Sequence, residues 1–144
     1  LGAQAALDPA ACDVWEELSR LHGTAPFLFG PTPATHAFIE ASGAAKVVTE
    51  VIERARVGAR LSVVALHYQP IPTNYLIVMM KQLSIHGSME YPPRFEDSLD
   101  LLARRDLSPV ITHRVPLARF DEALGVLRGA ADCGKILVTM GDEA

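Results

Sequence analysis

The chain has 144 residues, 49% of them hydrophobic and 21% charged, with a formal net charge of −4. That is enough chain for one ordinary globular core and short for a two-domain enzyme. The acidic balance argues against nucleic acid or an anionic membrane as partner, and no apolar run reaches the length of a membrane span. No basic-then-apolar leader opens the sequence, which begins at Leu1 and not Met; a removed upstream segment or a piece of a longer protein is expected. Cys12 and Cys133 stand at opposite ends without C-x-x-C spacing and read as free thiols of a cytoplasmic protein rather than a disulfide.

In chain order, Ala3 to Leu7 is a short apolar run stopped by Asp8-Pro9, which predicts a strand and a turn. Asp8 or Pro9-Ala10 is placed to open a helix with Val14, Leu18 and Leu21 on one face and Glu16, Glu17 and Arg20 on the other. Gly23 to Thr35, rich in Gly and Pro, predicts a loop with Phe27-Leu28-Phe29 packed down on the body. His36 to Ala41 reads as a strand. Ala44 to Arg56 reads as a helix burying Val48, Val51, Ile52 and Ala55 and closed by Gly58. Leu61 to Leu66 is almost unbroken apolar, the pattern of a parallel strand covered on both faces. Together these make a βαβ unit. Its strands end in small residues, which lets a planar ligand approach the backbone outside their carboxyl ends.

Pro70 and Pro72 then break the chain, and Thr73 or Asn74 can cap a short helix through Met80. Leu83 to Ser88 is the next expected strand. Beyond it, Phe95 to Arg105 predicts a helix with Phe95, Leu99 and Leu102 inward, and Val110 to Val115 a strand ending at Pro116. Ala118 to Arg128 predicts a helix with Phe120, Ala123, Leu124 and Leu127 inward, and Gly134 to Val138 a last strand. No internal repeat or low-complexity segment occurs.

Several of these stretches, in this order and spacing, resemble zinc-type medium-chain alcohol and polyol dehydrogenases. Leu1-Gly2-Ala3 with Leu7-Asp8-Pro9 is similar to that family's stretch after its second nucleotide-domain strand. Glu40-Ala41-Ser42-Gly43 resembles its E-x-x-G at the end of the fourth strand. Leu61 to Leu66 and Leu83 to Met89 resemble its fifth and sixth strands. Ile111-Thr112-His113 with Pro116-Leu117 and Glu122-Ala123, then Gly134 to Val138, resemble its closing segment. The fold this implies is α/β: an incomplete Rossmann-type parallel sheet (its rear half) plus a C-terminal α/β segment of the substrate-side domain. The boundaries implied are 1–88 for the rear of the nucleotide-binding domain and 89–144 for the return into the other domain.

The resemblance implies hydride transfer between an alcohol or polyol and NAD or NADP, zinc-assisted in the intact enzyme, and a homo-oligomer, either a dimer or a strand-exchanged pair. No G-x-G-x-x-G is present, and the family's zinc ligands belong to segments outside this chain, so no catalytic or metal residue is assigned and the chain alone is expected to be inactive. With the first two strands of the family's 3-2-1-4-5-6 order absent, His36 to Ala41 is expected at an exposed sheet edge, which predicts strand pairing between copies or low stability. By the same resemblance Ser42, Gly43, Ala65, Leu66 and His67 line the nicotinamide and its ribose. Ser88, Met89 and Glu90 meet the carboxamide, and Lys135 reaches toward the pyrophosphate. Read without it, the same positions are strand termini and turns, and Lys135 a solvated charge. Glu40 either orients a metal ligand or caps a loop. His22, His36, His86 and His113 have no partner at metal spacing and read as surface or core residues. The alternatives kept open are a non-catalytic α/β interaction module and a zinc-independent quinone or enoyl reductase.

Overall fold

Asp13 starts the first helix, α1 (Val14–His22), because its carboxylate accepts the otherwise unpaired N–H groups of Trp15 and Glu16 at 2.8 and 3.3 Å. The Trp15 N–H holds the Asp13 carboxyl below the usual aspartate range, with the Glu16 N–H adding to it. This corrects the expected helix start: Asp8 instead builds a turn, its backbone carbonyl accepting from Ala11 and Cys12. Ala3 to Leu7 forms no strand, since no ladder partner stands beside it. The structure is a computed structural model that describes residues 2–91, 93–129 and 133–141; Leu1 of the opening motif lies outside them.

Two compact units divide at Glu90 and Tyr91. In the first, the expected loop after α1 contains a minimal antiparallel ladder, β1 (Thr24–Ala25) with β2 (Thr32–Pro33). Of its aromatic tip only Phe27 packs inward, under the Lys81 ammonium at 4.7 Å; Leu28 and Phe29 stand in solvent, Phe29 70% exposed. A type of packing that sequence periodicity does not reach is seen at Lys81 itself, which is fully buried and donates from Nζ to the Glu53 carbonyl. Burial pushes this amine below the ordinary lysine value, against the pull of the Glu53 charge.

The main sheet of the unit is parallel and ordered β3 (Ala37–Glu40), β4 (Arg60–Val63), β5 (Ser84–Gly87), with Glu40, Val63 and Gly87 level at its carboxyl end. The crossover from β3 to β4 is α2 (Ala45–Arg54), and α3 (Tyr75–Met80) joins β4 to β5. The α2 stripe Val48, Val51, Ile52 and Ala55 is buried as its spacing predicts, and it packs with Trp15, Ala59 and Leu61 into one apolar core. Trp15 is held by a hydrogen bond from Nε1 to Glu50 and by the Arg54 guanidinium 5.2 Å above its ring. Strand β4 is shorter than expected and not covered on both faces over its length. The N–H groups of Val64 and Ala65 both turn onto the Glu40 carbonyl, which ends the ladder and leaves Val64 and Leu66 exposed. Gly58, with φ of +72°, sits in a turn after the helix has already ended at Ala55, donating to the Lys81 carbonyl. β3 lies at the sheet edge, as expected, and Ile39 is 75% exposed there.

The second unit pairs β6 (Ile111–Pro116) with β7 (Lys135–Thr139) in parallel, with an irregular register between Ile111 and His113. α4 (Glu96–Arg104) precedes them and α5 (Phe120–Gly129) joins them. Among the described residues of this unit, Val115, Pro116 and Ala123 are buried. Phe95, Leu99, Leu102, Phe120 and Leu127, expected inward, are about half exposed or more. Their helical spacing is right, but the packing surface beside them is small. Gly134 is a tight point: a Cβ there would lie 2.5 Å from the Val110 carbonyl oxygen, which is backbone and cannot swing away. Gly134→Ala is therefore expected to weaken the β6–β7 pairing by about 1–3 kcal/mol, seen as faster hydrogen exchange at Ile136 to Val138. Unchanged protection would show that the strand start shifts freely.

Both cysteines are free thiols, as read from their spacing. Among the described residues no helix is long and apolar enough to cross a membrane.

Candidate functional site

The carboxyl end of the β3-β4-β5 sheet gathers most of the residues singled out from the sequence. The organiser is Glu40, the last residue of β3, which is 1% exposed. Its Oε1 accepts from the Ser42 hydroxyl at 2.6 Å, the Ser42 N–H at 2.7 Å and the Gly43 N–H at 2.8 Å. Its Oε2 meets Nε2 of His67, from the segment that follows β4, at 2.7 Å. The Ser42 hydroxyl, the His67 contact and the two backbone N–H groups hold the carboxyl down to about 2, against the burial that opposes ionisation. Buried carboxylates persist when their oxygens are met in this way. Of the two roles left open for Glu40, loop capping is what the hydrogen bonds show.

The clamp fixes a turn whose backbone needs glycine. Gly43 has φ of +76°, and a Cβ there would touch the Leu66 carbonyl oxygen at 3.5 Å and the Ala65 Cβ at 3.9 Å. Ser42 Oγ also accepts from the Ala44 N–H at 3.2 Å, just before α2 begins. Ser42, Gly43, Ala65, Leu66 and His67 are thus neighbours in space although about twenty residues of chain separate the two groups. At the third strand, the Ser88 N–H is spent on the Val63 carbonyl at 3.0 Å, while Met89 and Glu90 are exposed. Leu66 and Met89 leave apolar surface at this end of the sheet.

Lys135 opens β7 in the second unit and is exposed. Among the described residues no group of three His, Cys, Asp or Glu side chains is gathered to hold a metal ion. His22 bonds the Thr35 hydroxyl, His36 faces Arg56, and His113 bonds Thr112. What the sequence did not disclose is the Glu40–His67 pair. Its available signal was a carboxylate ending an apolar strand, with Ser-Gly just beyond, and a histidine just past the neighbouring strand.

No family model matches the chain. It is 33% identical over 103 residues to L-threonine 3-dehydrogenase of Saccharopolyspora erythraea, a stretch that covers 69% of this chain and 30% of that enzyme. The fold overlays 2R,3R-butanediol dehydrogenase of Bacillus subtilis with a TM-score of 0.77, at 19% identity, over 94% of this chain and 38% of that one. It also overlays a Sinorhizobium meliloti protein assigned as a zinc-binding dehydrogenase and bound to NADP, with a TM-score of 0.73, at 25% identity, over 95% of this chain and 39% of that one. The chain thus spans about a third of the length of the relatives it matches. In sequence and in fold, the chain corresponds to part of a zinc-type medium-chain alcohol or polyol dehydrogenase.

Proposed function

We propose that this chain supplies the cofactor-facing end of the nucleotide-binding sheet in an NAD- or NADP-dependent dehydrogenase acting on a small alcohol or polyol. The carrying observation is the convergence of Ser42, Gly43, Ala65, Leu66, His67 and Ser88 at the carboxyl ends of three parallel strands, where open α/β sheets bind ligands. Met89 and Glu90 extend this surface; a role for Lys135 toward the pyrophosphate rests on the family resemblance alone. The dinucleotide fits what is present: Ser42 and Gly43 are exposed at the strand end, where a flat ring can reach them, and Leu66 and Met89 offer it apolar contact. When bound, the nicotinamide supplies the hydride acceptor for the alcohol carbon. In this chain Glu40 holds the turn, the turn sets the approach distance, and His67 presents a polar ring beside it. No zinc ligand is assigned to these residues; zinc assistance belongs to the intact enzyme's other segments. The isolated chain is accordingly expected to turn over no alcohol.

Residues 1–88 are read as the rear of the nucleotide domain and 89–144 as the return into the substrate-side domain. The β5 edge, with all of Ser84 to Gly87 exposed, is the proposed pairing edge of a homodimer. Neither nucleic acid nor a membrane is a proposed partner, and the free thiols suit the cytoplasm.

The test is titration of the full chain with NADH and NADPH, following energy transfer from its single tryptophan, Trp15. Saturable binding at about micromolar levels, strong enough to need a formed cleft, is the expected result. Flat curves with both cofactors would overturn the assignment of the cofactor surface to these residues.

A further inference from the structure

Both oxygens of Glu40 are used, and used differently. Oε1 takes three donors within 2.8 Å, whereas among the described residues Oε2 meets only the His67 ring. A carboxylate can only accept, so His67 Nε2 must carry the proton in that contact. The ionised form fits the geometry, since three short donor contacts leave no place for a proton on Oε1, and the carboxyl is held down to about 2. The other ring nitrogen, Nδ1, has no hydrogen bond among the described residues. No buried side-chain nitrogen or oxygen among them lacks a partner, so Nδ1 is not sealed from solvent although the His67 side chain is only 11% exposed. A ring anchored on one nitrogen and open at the other is a mounted hydrogen-bonding group.

We propose that Glu40 is a positioning residue for His67, locking the imidazole in its Nε2–H form so that Nδ1 serves as acceptor for an amide or hydroxyl donor of the dinucleotide. This rests on the cofactor surface proposed above and assigns one of its polar contacts. Glu40→Gln separates positioning from mere packing. Glutamine keeps the size but has one oxygen, and the three donors around Oε1 claim it. Its NH2 group then faces His67 Nε2, which must accept, and the ring proton moves to Nδ1. The acceptor offered to the ligand becomes a donor.

The experiment is ring nitrogen–proton correlation NMR on the nitrogen-15-labelled full chain at pH 8, with His67→Gln to assign the resonances. The wild type is expected to show the Nε2–H pattern and Glu40→Gln the Nδ1–H pattern. Added NADH is expected to shift Nδ1 in the wild type, and its dissociation constant should rise about tenfold in Glu40→Gln, the scale of one hydrogen bond. An Nδ1–H or mixed wild-type ring would overturn the proposal without any variant. Should Glu40→Gln fail to fold, Glu40→Asp, which keeps the charge, must retain the Nε2–H pattern, and its loss overturns the proposal. Saturable NADH binding with Nδ1 unmoved and affinity unchanged in Glu40→Gln would remove His67 as a contact yet leave the cofactor surface standing. Absence of NADH binding would overturn the cofactor surface, and with it the ligand role of Nδ1.

Discussion

Ile52→Ala is expected to lower the stability of the Gln4–Glu90 unit by about 2–5 kcal/mol. Ile52 is 2% exposed, in the middle of the buried α2 stripe and in the cluster with Trp15 and Leu61. Truncation removes its apolar area from the core and leaves a cavity that the neighbours fill only in part. Domains of this size are stable by about 5–15 kcal/mol in all, so the loss is a large share. Val47 on the same helix is 38% exposed, and Val47→Ala should cost well under half as much. Urea titration followed by Trp15 fluorescence reads both. Equal midpoints for the two variants would mean that the α2 stripe is not the seat of stability.

Glu40→Ala is expected to lower the melting temperature at pH 7 by about 5–10 °C, the scale of leaving several donors unmet. It should also flatten the acid limb of the stability curve. The sign follows from the direction of the shift. Glu40 ionises at about 2 in the folded chain against an ordinary value of 4.5, so across that window the unfolded chain binds more protons. Its contribution is complete above about 4.5 and is lost as the pH falls toward 2. Thermal melts from pH 7 down to 2 should therefore show wild type and variant converging at the acid end. Parallel curves would mean that the carboxylate does not organise the strand ends.

The elements legible in the sequence were those whose own periodicity forces burial. The α2 stripe at three- and four-residue spacing faced the core as read, and the βαβ order placed β3, α2 and β4 within a few residues of expectation. The weakest reading was Ala3 to Leu7, where apolar residues alone do not make a strand without a neighbour to supply the ladder. The same reason explains Phe95, Leu99 and Leu102. Their spacing is helical, but spacing says nothing of how much surface stands opposite to cover them.

The site divides along the same line. Ser42, Gly43 and Ala65 were legible as small residues just past the ends of two strands, and the structure brings them together there. The Glu40–His67 contact spans twenty-seven positions of chain and exists only because parallel pairing sets Glu40 level with Val63, bringing the segment after β4 beside the end of β3. Lys81 is the corresponding case in the core, a charged side chain buried because Glu53 and Phe27 meet it from distant parts of the chain. Local pattern thus determined which segments form strands and helices and which residues end them. Tertiary pairing alone decided which polar groups meet, because a hydrogen bond depends on a partner's position to a few tenths of an ångström and no local periodicity carries that information.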